Sequence, residues 1–180
     1  MDKELINNLN KLREKNLLNE VIKILNLEKV KKPKNSEILF QLGGAYRSLG
    51  NFKAALENYN EILLHDETFT AAYRMIGTII NHKDNDEYIK KLEKLIEKNN
   101  LSNEQKIDIY FSLGKAYEDL NEKNKAAKNY ILANKHKKEI TKYNFKIHKD
   151  HFDQIYEIFK NINFINKSSN FKNEKKVIFL

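Results

Sequence analysis

Six positions of one pattern recur at a single offset. Leu39, Leu42, Gly43, Tyr46, Ala55 and Tyr59 return as Tyr110, Leu113, Gly114, Tyr117, Ala126 and Tyr130, each 71 residues further on. A fainter echo lies at 34, where Tyr73, Ile76 and Gly77 repeat Leu39, Leu42 and Gly43, and Val21 precedes Ala55. Since 71 is two periods of 34 plus three, the chain consists of units of about 34 residues, with three extra residues between Asn99 and Gln105. Units of this size cannot bury their own apolar face and must stack on one another.

The unit Ser36–Phe69 shows what is repeated. Leu39, Leu42, Tyr46 and Leu49 fall at helical spacing, as do Phe52, Ala55, Leu56, Tyr59, Ile62 and Leu63, on either side of a turn at Gly50. Ser36 reads as the N-cap and Gly50 as the C-terminal stop. Gly43 inside the first helix costs about 1 kcal/mol relative to alanine. A second helix must therefore pack too closely there for a side chain, with small Ala55 as the expected contact. Leu39-x2-Leu42-Gly43-x2-Tyr46 followed by Ala55-x3-Tyr59 resembles the tetratricopeptide (TPR) pattern, with Leu for the usual Trp. The resemblance implies an all-α fold, a right-handed superhelix of three to four helical hairpins.

In chain order, residues 2–35 form a degenerate first repeat, with helices over 2–15 and 17–28 and Pro33 at its end. Its first helix would cap the array. Repeats 36–69, 70–102 and 103–139 follow. In the third unit Ile89 replaces the small residue at the Ala55 position, so that hairpin should pack more loosely or at a shifted angle. Ser102 with Gln105 reads as a capping box opening the fourth. Residues 140–174 read as a linker containing a cap helix at about 149–161, with Phe152, Ile155, Tyr156 and Phe159 on one face. Residues 175–180 end in Val177-Ile178-Phe179-Leu180, which reads as an orphan β-strand opening a truncated further domain.

Composition excludes several function classes. There is no cysteine, hence no disulfide framework and no thiolate metal site. No run approaches membrane-spanning length and the N-terminus lacks a signal-peptide core, so the expected location is cytoplasmic. The net charge of +8 is uneven: Lys135–Leu180 holds eleven Lys against five acids, leaving 22 basic and 20 acidic residues before it. The basic tail is read as a solvated linker, in preference to a nucleic-acid site. His148 and His151 stand at i, i+3 with no further ligand at metal-site spacing, so no metal is expected. No nucleophile–base constellation stands out.

Phe111-Ser112-Leu113-Gly114-Lys115-Ala116-Tyr117-Glu118-Asp119-Leu120, then Ala126 through Tyr130-Ile131-Leu132-Ala133-Asn134, carry a second resemblance. Together with Ile158-Phe159 and Val177–Leu180, they resemble the N-terminal half of bacterial TPR-sulfotransferases. That resemblance implies a sulfotransferase domain in cis, beginning at the terminal strand and using 3′-phosphoadenylyl sulfate (PAPS) as donor. The donor loop would follow Leu180, so no catalytic or cofactor-binding residue of that family maps onto this chain, and no cofactor is expected within it. The alternative is a stand-alone TPR scaffold.

In TPR units the first helix lines a groove through its second, fifth, ninth, twelfth and thirteenth positions. By resemblance these are Glu37, Phe40, Gly44, Arg47 and Ser48; Ala71, Arg74, Thr78, Asn81 and His82; and Asp108, Phe111, Lys115, Glu118 and Asp119. A protein or peptide ligand held by Phe40, Arg47, Arg74, Asn81, Lys115 and Glu118 is the expected partner. Arg47 and Arg74 could each clamp a carboxylate, against the plainer reading of both as solvated surface arginines. The Lys/Asn arrangement of chaperone-binding TPRs is not reproduced. The periodic tyrosines read as packing residues.

Overall fold

The computed structural model describes residues 1–84, 86–98, 100–141 and 145–160. Among these every regular element is helical: α1 (Lys3–Glu14), α2 (Leu18–Lys31), α3 (Ser36–Ser48), α4 (Phe52–Leu63), α5 (Thr70–Gly77), a 3-10 turn (His82–Asp84), α6 (Asp86–Ile96), α7 (Asn103–Asp119), α8 (Lys123–Ile140) and α9 (Phe145–Lys160). The chain divides into two compact units, Met1–Thr141 and Lys142–Leu180. α9 belongs to the second; it starts four residues earlier than its sequence pattern suggests. The strand expected at 175–180 and the loop before it lie outside the described residues.

Local chemistry fixes the hairpins. The sequence places the N-cap of α3 at Ser36, but Asn35 takes it, its side-chain oxygen accepting from Ile38 N at 3.0 Å. An amide oxygen one residue earlier reaches the orphan N–H groups, and Ser36 becomes the first helical residue. Asn51 caps α4 in the same way, accepting from Ala54 N at 3.1 Å. Ser102 and Gln105 close the reciprocal capping box at α7.

Three of the four turns within hairpins are one structure. Asn16, Gly50 and Asn121 all have positive φ, at 57°, 75° and 59°, and they stand 34 and 71 residues apart. Each donates its N–H three residues back, and the next residue donates five back: Gly50 N to Arg47 O and Asn51 N to Tyr46 O, both 2.9 Å. This paired stop suits glycine and tolerates asparagine in the left-handed region. The corresponding position of the third unit is Asp84, which sits in the 3-10 turn.

The third hairpin departs from the others before that position is reached. α5 stops at Gly77, after 8 residues against 13 in α3 and 17 in α7. His82, expected on the groove face, turns inward and is fully buried. Its ring lies 4.6 Å from that of Tyr88, and its two ring nitrogens have no hydrogen-bond partner. Burial therefore lowers its pKa below the usual 6.5, partly offset by Asp119.

The helical glycines mark the closest approaches. The sequence points to Ala55 as the contact over Gly43; the nearest atoms there are those of the Tyr59 ring, which occupies the space a Gly43 Cβ would need. Tyr130 fills the notch over Gly114 identically, 2.6 Å from a hypothetical Cβ. At Gly77 the hydroxyl of Tyr88 enters, 2.7 Å from such a Cβ, and donates to Tyr73 O at 2.6 Å. Ala55 and Tyr59 are fully buried in one core that runs from Leu39 to Ala126; a second core joins Leu9, Val21 and Leu25 to Ile38 and Leu42. Tyr46 packs against both.

Gly43→Ala and Gly114→Ala should each destabilise by about 2 kcal/mol, because an aromatic ring cannot yield the space. Gly44→Ala, whose Cβ would meet nothing within 4 Å, should stabilise by about 0.5–1 kcal/mol; urea unfolding of the three variants measures this. A second expectation concerns His82. Its folded-state pKa is depressed, so the unfolded chain binds the proton first. Stability should be flat above about pH 6.5, fall below it, and lose that fall in His82→Gln when the unfolding midpoint is followed against pH.

Candidate functional site

The first helices carry two pockets at equivalent places in the second and fourth repeats. The larger, about 510 Å³, is walled by Phe40, Gly44, Arg47 and Ser48 of α3, by Arg13, and by Met75 of α5, with Tyr59 among its lining residues. The smaller, about 220 Å³, is walled by Arg74 and Thr78 beside Phe111 and Lys115, with Tyr130 among its lining residues. Phe40 and Phe111, Gly44 and Lys115, and Tyr59 and Tyr130 are pairs at the 71-residue offset. In each pocket a tyrosine from the second helix, seated over a helical glycine, contributes to the lining.

The structure thus brings Phe40 and Arg47 together in one pocket, and Arg74 and Lys115 together in the other. Glu118 stands beside the second pocket through Tyr130. Asn81 is separated from both: α5 has ended before it, and its side-chain oxygen accepts from Lys83 N at 3.1 Å in a local turn. Phe40 is half-buried, its ring 5.6 Å from Tyr59 and 5.4 Å from Phe69.

The charges of the fourth-repeat pocket are matched internally. Arg74 donates to Asp108 at 3.2 Å, while its guanidinium lies 5.0 Å above the Phe111 ring. Thr70 donates to the other oxygen of Asp108 at 3.1 Å. Lys115 pairs with Asp119, and this partner, with the His82 N–H, holds the Asp119 carboxyl below its usual range against the opposing effect of burial. Tyr130 donates to Glu118 at 2.8 Å, and burial together with that carboxylate pushes the phenol up to about 12.

The second-repeat pocket lacks such matching. Its lining holds two guanidiniums and no carboxylate. Arg13 donates to Gln41 at 2.6 Å and to Asn10 at 3.4 Å, both neutral amides. Arg47 is exposed and makes no ion pair among the described residues. The Tyr59 hydroxyl is buried and has no acceptor for its proton; burial raises its pKa, which the charge and side-chain hydrogen bond of Arg47 only partly offset. Periodicity alone could not show this difference, but aligning the repeats does, since Arg47 stands where Glu118 stands 71 residues later.

Two further clefts, of about 480 and 590 Å³, flank α6. They are lined by Tyr73 and Tyr88 on one side and by Tyr110 and Tyr117 on the other. Tyr117 donates to Glu93 across the second. Among the described residues no group of three or more metal-ligating side chains occurs, and no helix is long and apolar enough to cross a membrane.

Residues 36–67 and 107–135 match the tetratricopeptide repeat family model. No curated protein matches the chain. Among solved structures, a MamA RS-1 double mutant is 18% identical, with 88% of this chain and 94% of that one covered and a TM-score of 0.56. A crystal structure of MamA is 22% identical over 79% of this chain and 99% of that one, with a TM-score of 0.44. The repeat match and the first likeness agree with the hairpins: the fold is an all-α TPR array.

Tyr59→Phe should leave stability unchanged or slightly raised, because it removes a buried donor that has no acceptor. Tyr130→Phe should cost about 1 kcal/mol through loss of the bond to Glu118. Chemical denaturation of the two variants side by side tests the asymmetry.

Proposed function

We propose that this chain is a protein- or peptide-binding module whose groove is the face carried by α3, α5 and α7. The observation that carries this reading is the recurrence of open pockets at equivalent positions of two repeats, walled by the first-helix residues a TPR groove uses. Hydrophobic walls at Phe40, Met75 and Phe111 supply contact area, and Arg47, Arg74 and Lys115 supply orientation. The array presents these residues from helices fixed by glycine–tyrosine notches, so a segment of partner chain meets a preformed surface and little ordering cost falls on the module.

The finer form of the proposal places this module ahead of a PAPS-dependent sulfotransferase domain in cis, where it would select or present acceptor proteins. It rests on the resemblance of residues 111–120 and 126–134 to TPR-sulfotransferases. A stand-alone adaptor would use the same groove in the same way. The reading frame after codon 180 separates them: a glycine-rich, Arg-Ser-Gly-Thr-like loop supports the transferase, and a stop codon leaves the adaptor.

Blocking the pockets tests the groove. Gly44→Arg would project into the larger pocket, where there is room for a Cβ, and Thr78→Arg into the smaller from an exposed position. Peptides selected on the wild-type protein from a random library should lose about tenfold or more in affinity for each variant, with the helical circular dichroism retained. Unchanged affinity for both would rule the groove out.

A further inference from the structure

The two pockets share their framework but differ at one position of the repeat, and that difference specifies a ligand. In the fourth repeat the hydroxyl of Tyr130 has an acceptor, Glu118, at 2.8 Å. In the second, the equivalent hydroxyl of Tyr59 is buried and finds no acceptor for its proton; the residue in the place of Glu118 is Arg47, whose side chain lies beside the phenol oxygen. A guanidinium offers donors only, so it cannot accept the phenol proton. Arg13 on the same wall is held by the amides of Gln41 and Asn10 and keeps its full charge. Glu37 accepts from the Gln41 amide at 2.8 Å and does not line the pocket. The pocket therefore gathers a phenol donor and two cations, and contains no acceptor carboxylate of its own.

We propose that the second-repeat pocket is a receptor for one carboxylate of a bound polypeptide, which would take between Arg47 and Tyr59 the place Glu118 fills for Tyr130. The proposal rests on the peptide-groove reading and adds the chemical class of the anchor. A carboxylate accepts from the phenol and from the guanidinium at once, and charge-assisted bonds of this kind are about twice as strong as neutral ones. An exposed Arg47 can swing to admit the ligand. An amide or hydroxyl in the same place would satisfy Tyr59 but leave both guanidiniums without a counter-charge. The fourth-repeat pocket, by contrast, has Arg74 on Asp108, Lys115 on Asp119 and Tyr130 on Glu118, and gains nothing by admitting an acid.

The test uses the whole chain and two fluorescein-labelled probes at low ionic strength: octaglutamate with an amidated C-terminus, and octaglutamine with a free one. Octaglutamate should bind saturably by fluorescence anisotropy. Arg47→Glu, which builds the internal carboxylate of the fourth repeat into the second, should weaken binding more than about tenfold and raise the melting temperature by about 2 °C. Arg47→Met, similar in length but with no strong acceptor for the phenol, should lose binding without that rise. Arg47-dependent binding of octaglutamine instead would assign the anchor to a chain terminus, with the same chemistry. Equal binding of octaglutamate to wild type and Arg47→Glu, no saturation of either probe by about 1 mM, or a lowered melting temperature in Arg47→Glu would overturn the carboxylate receptor. If library-selected neutral peptides then bind wild type and Arg47→Glu alike, the groove stands without it. If no peptide binds at all, both readings fall.

Discussion

A tyrosine ring seated over a helical glycine is the contact on which this array depends. Tyr59 over Gly43 and Tyr130 over Gly114 set how closely the two helices of a hairpin approach. The glycine gives up about 1 kcal/mol of helix propensity, and the ring recovers more by burying its large apolar face. In both hairpins the same tyrosine is also among the residues lining a first-helix pocket. Its hydroxyl is hydrogen-bonded to Glu118 at Tyr130 and is buried without an acceptor at Tyr59.

Where the contact changes, so does the hairpin. The third unit keeps the glycine, at Gly77, but has Asp84 in a 3-10 turn where Asn16, Gly50 and Asn121 take positive φ. α5 is left short, and His82 folds inward rather than continuing the helix face. Tyr88, near the start of α6, fills the notch from a different register and anchors itself on Tyr73 O. An imidazole buried without partners is the cost of this arrangement, and open clefts remain on both sides of α6.

Much of the fold was legible because stacking ties each repeat to its neighbours, and a period of 34 is a consequence of that geometry. The Gly50 turn, the helical glycines and the Ser102–Gln105 box each have a local physical reason that one residue can announce. The identity of the notch partner was not legible: Ala55 and Tyr59 lie one helical turn apart on the same face, and only side-chain reach decides between them. Nor could periodicity foresee that Asn81 and His82 fall outside the first helix, because α5 ends at Gly77. Phe40, Arg47, Arg74 and Lys115 were reachable from position alone, but whether each charge is already matched depends on pairing across helices, as Arg74 with Asp108 shows.

That last distinction separates two kinds of position in a repeat protein. Residues between hairpins must satisfy the neighbouring unit, so Leu, Gly, Ala and Tyr return at offset 71 almost unchanged. Positions on the exposed first-helix face carry fewer such ties, and there the two strong repeats differ in charge: Gly44 against Lys115, Arg47 against Glu118. A pocket whose charges are all paired within the chain is chemically closed, since any ionic ligand must first displace an internal partner. A pocket holding unmatched cations and an unsatisfied phenol gains most from a ligand that carries what it lacks. Two sites with one backbone geometry can therefore differ in specificity through a single exchange, Arg for Glu, at one turn of the first helix.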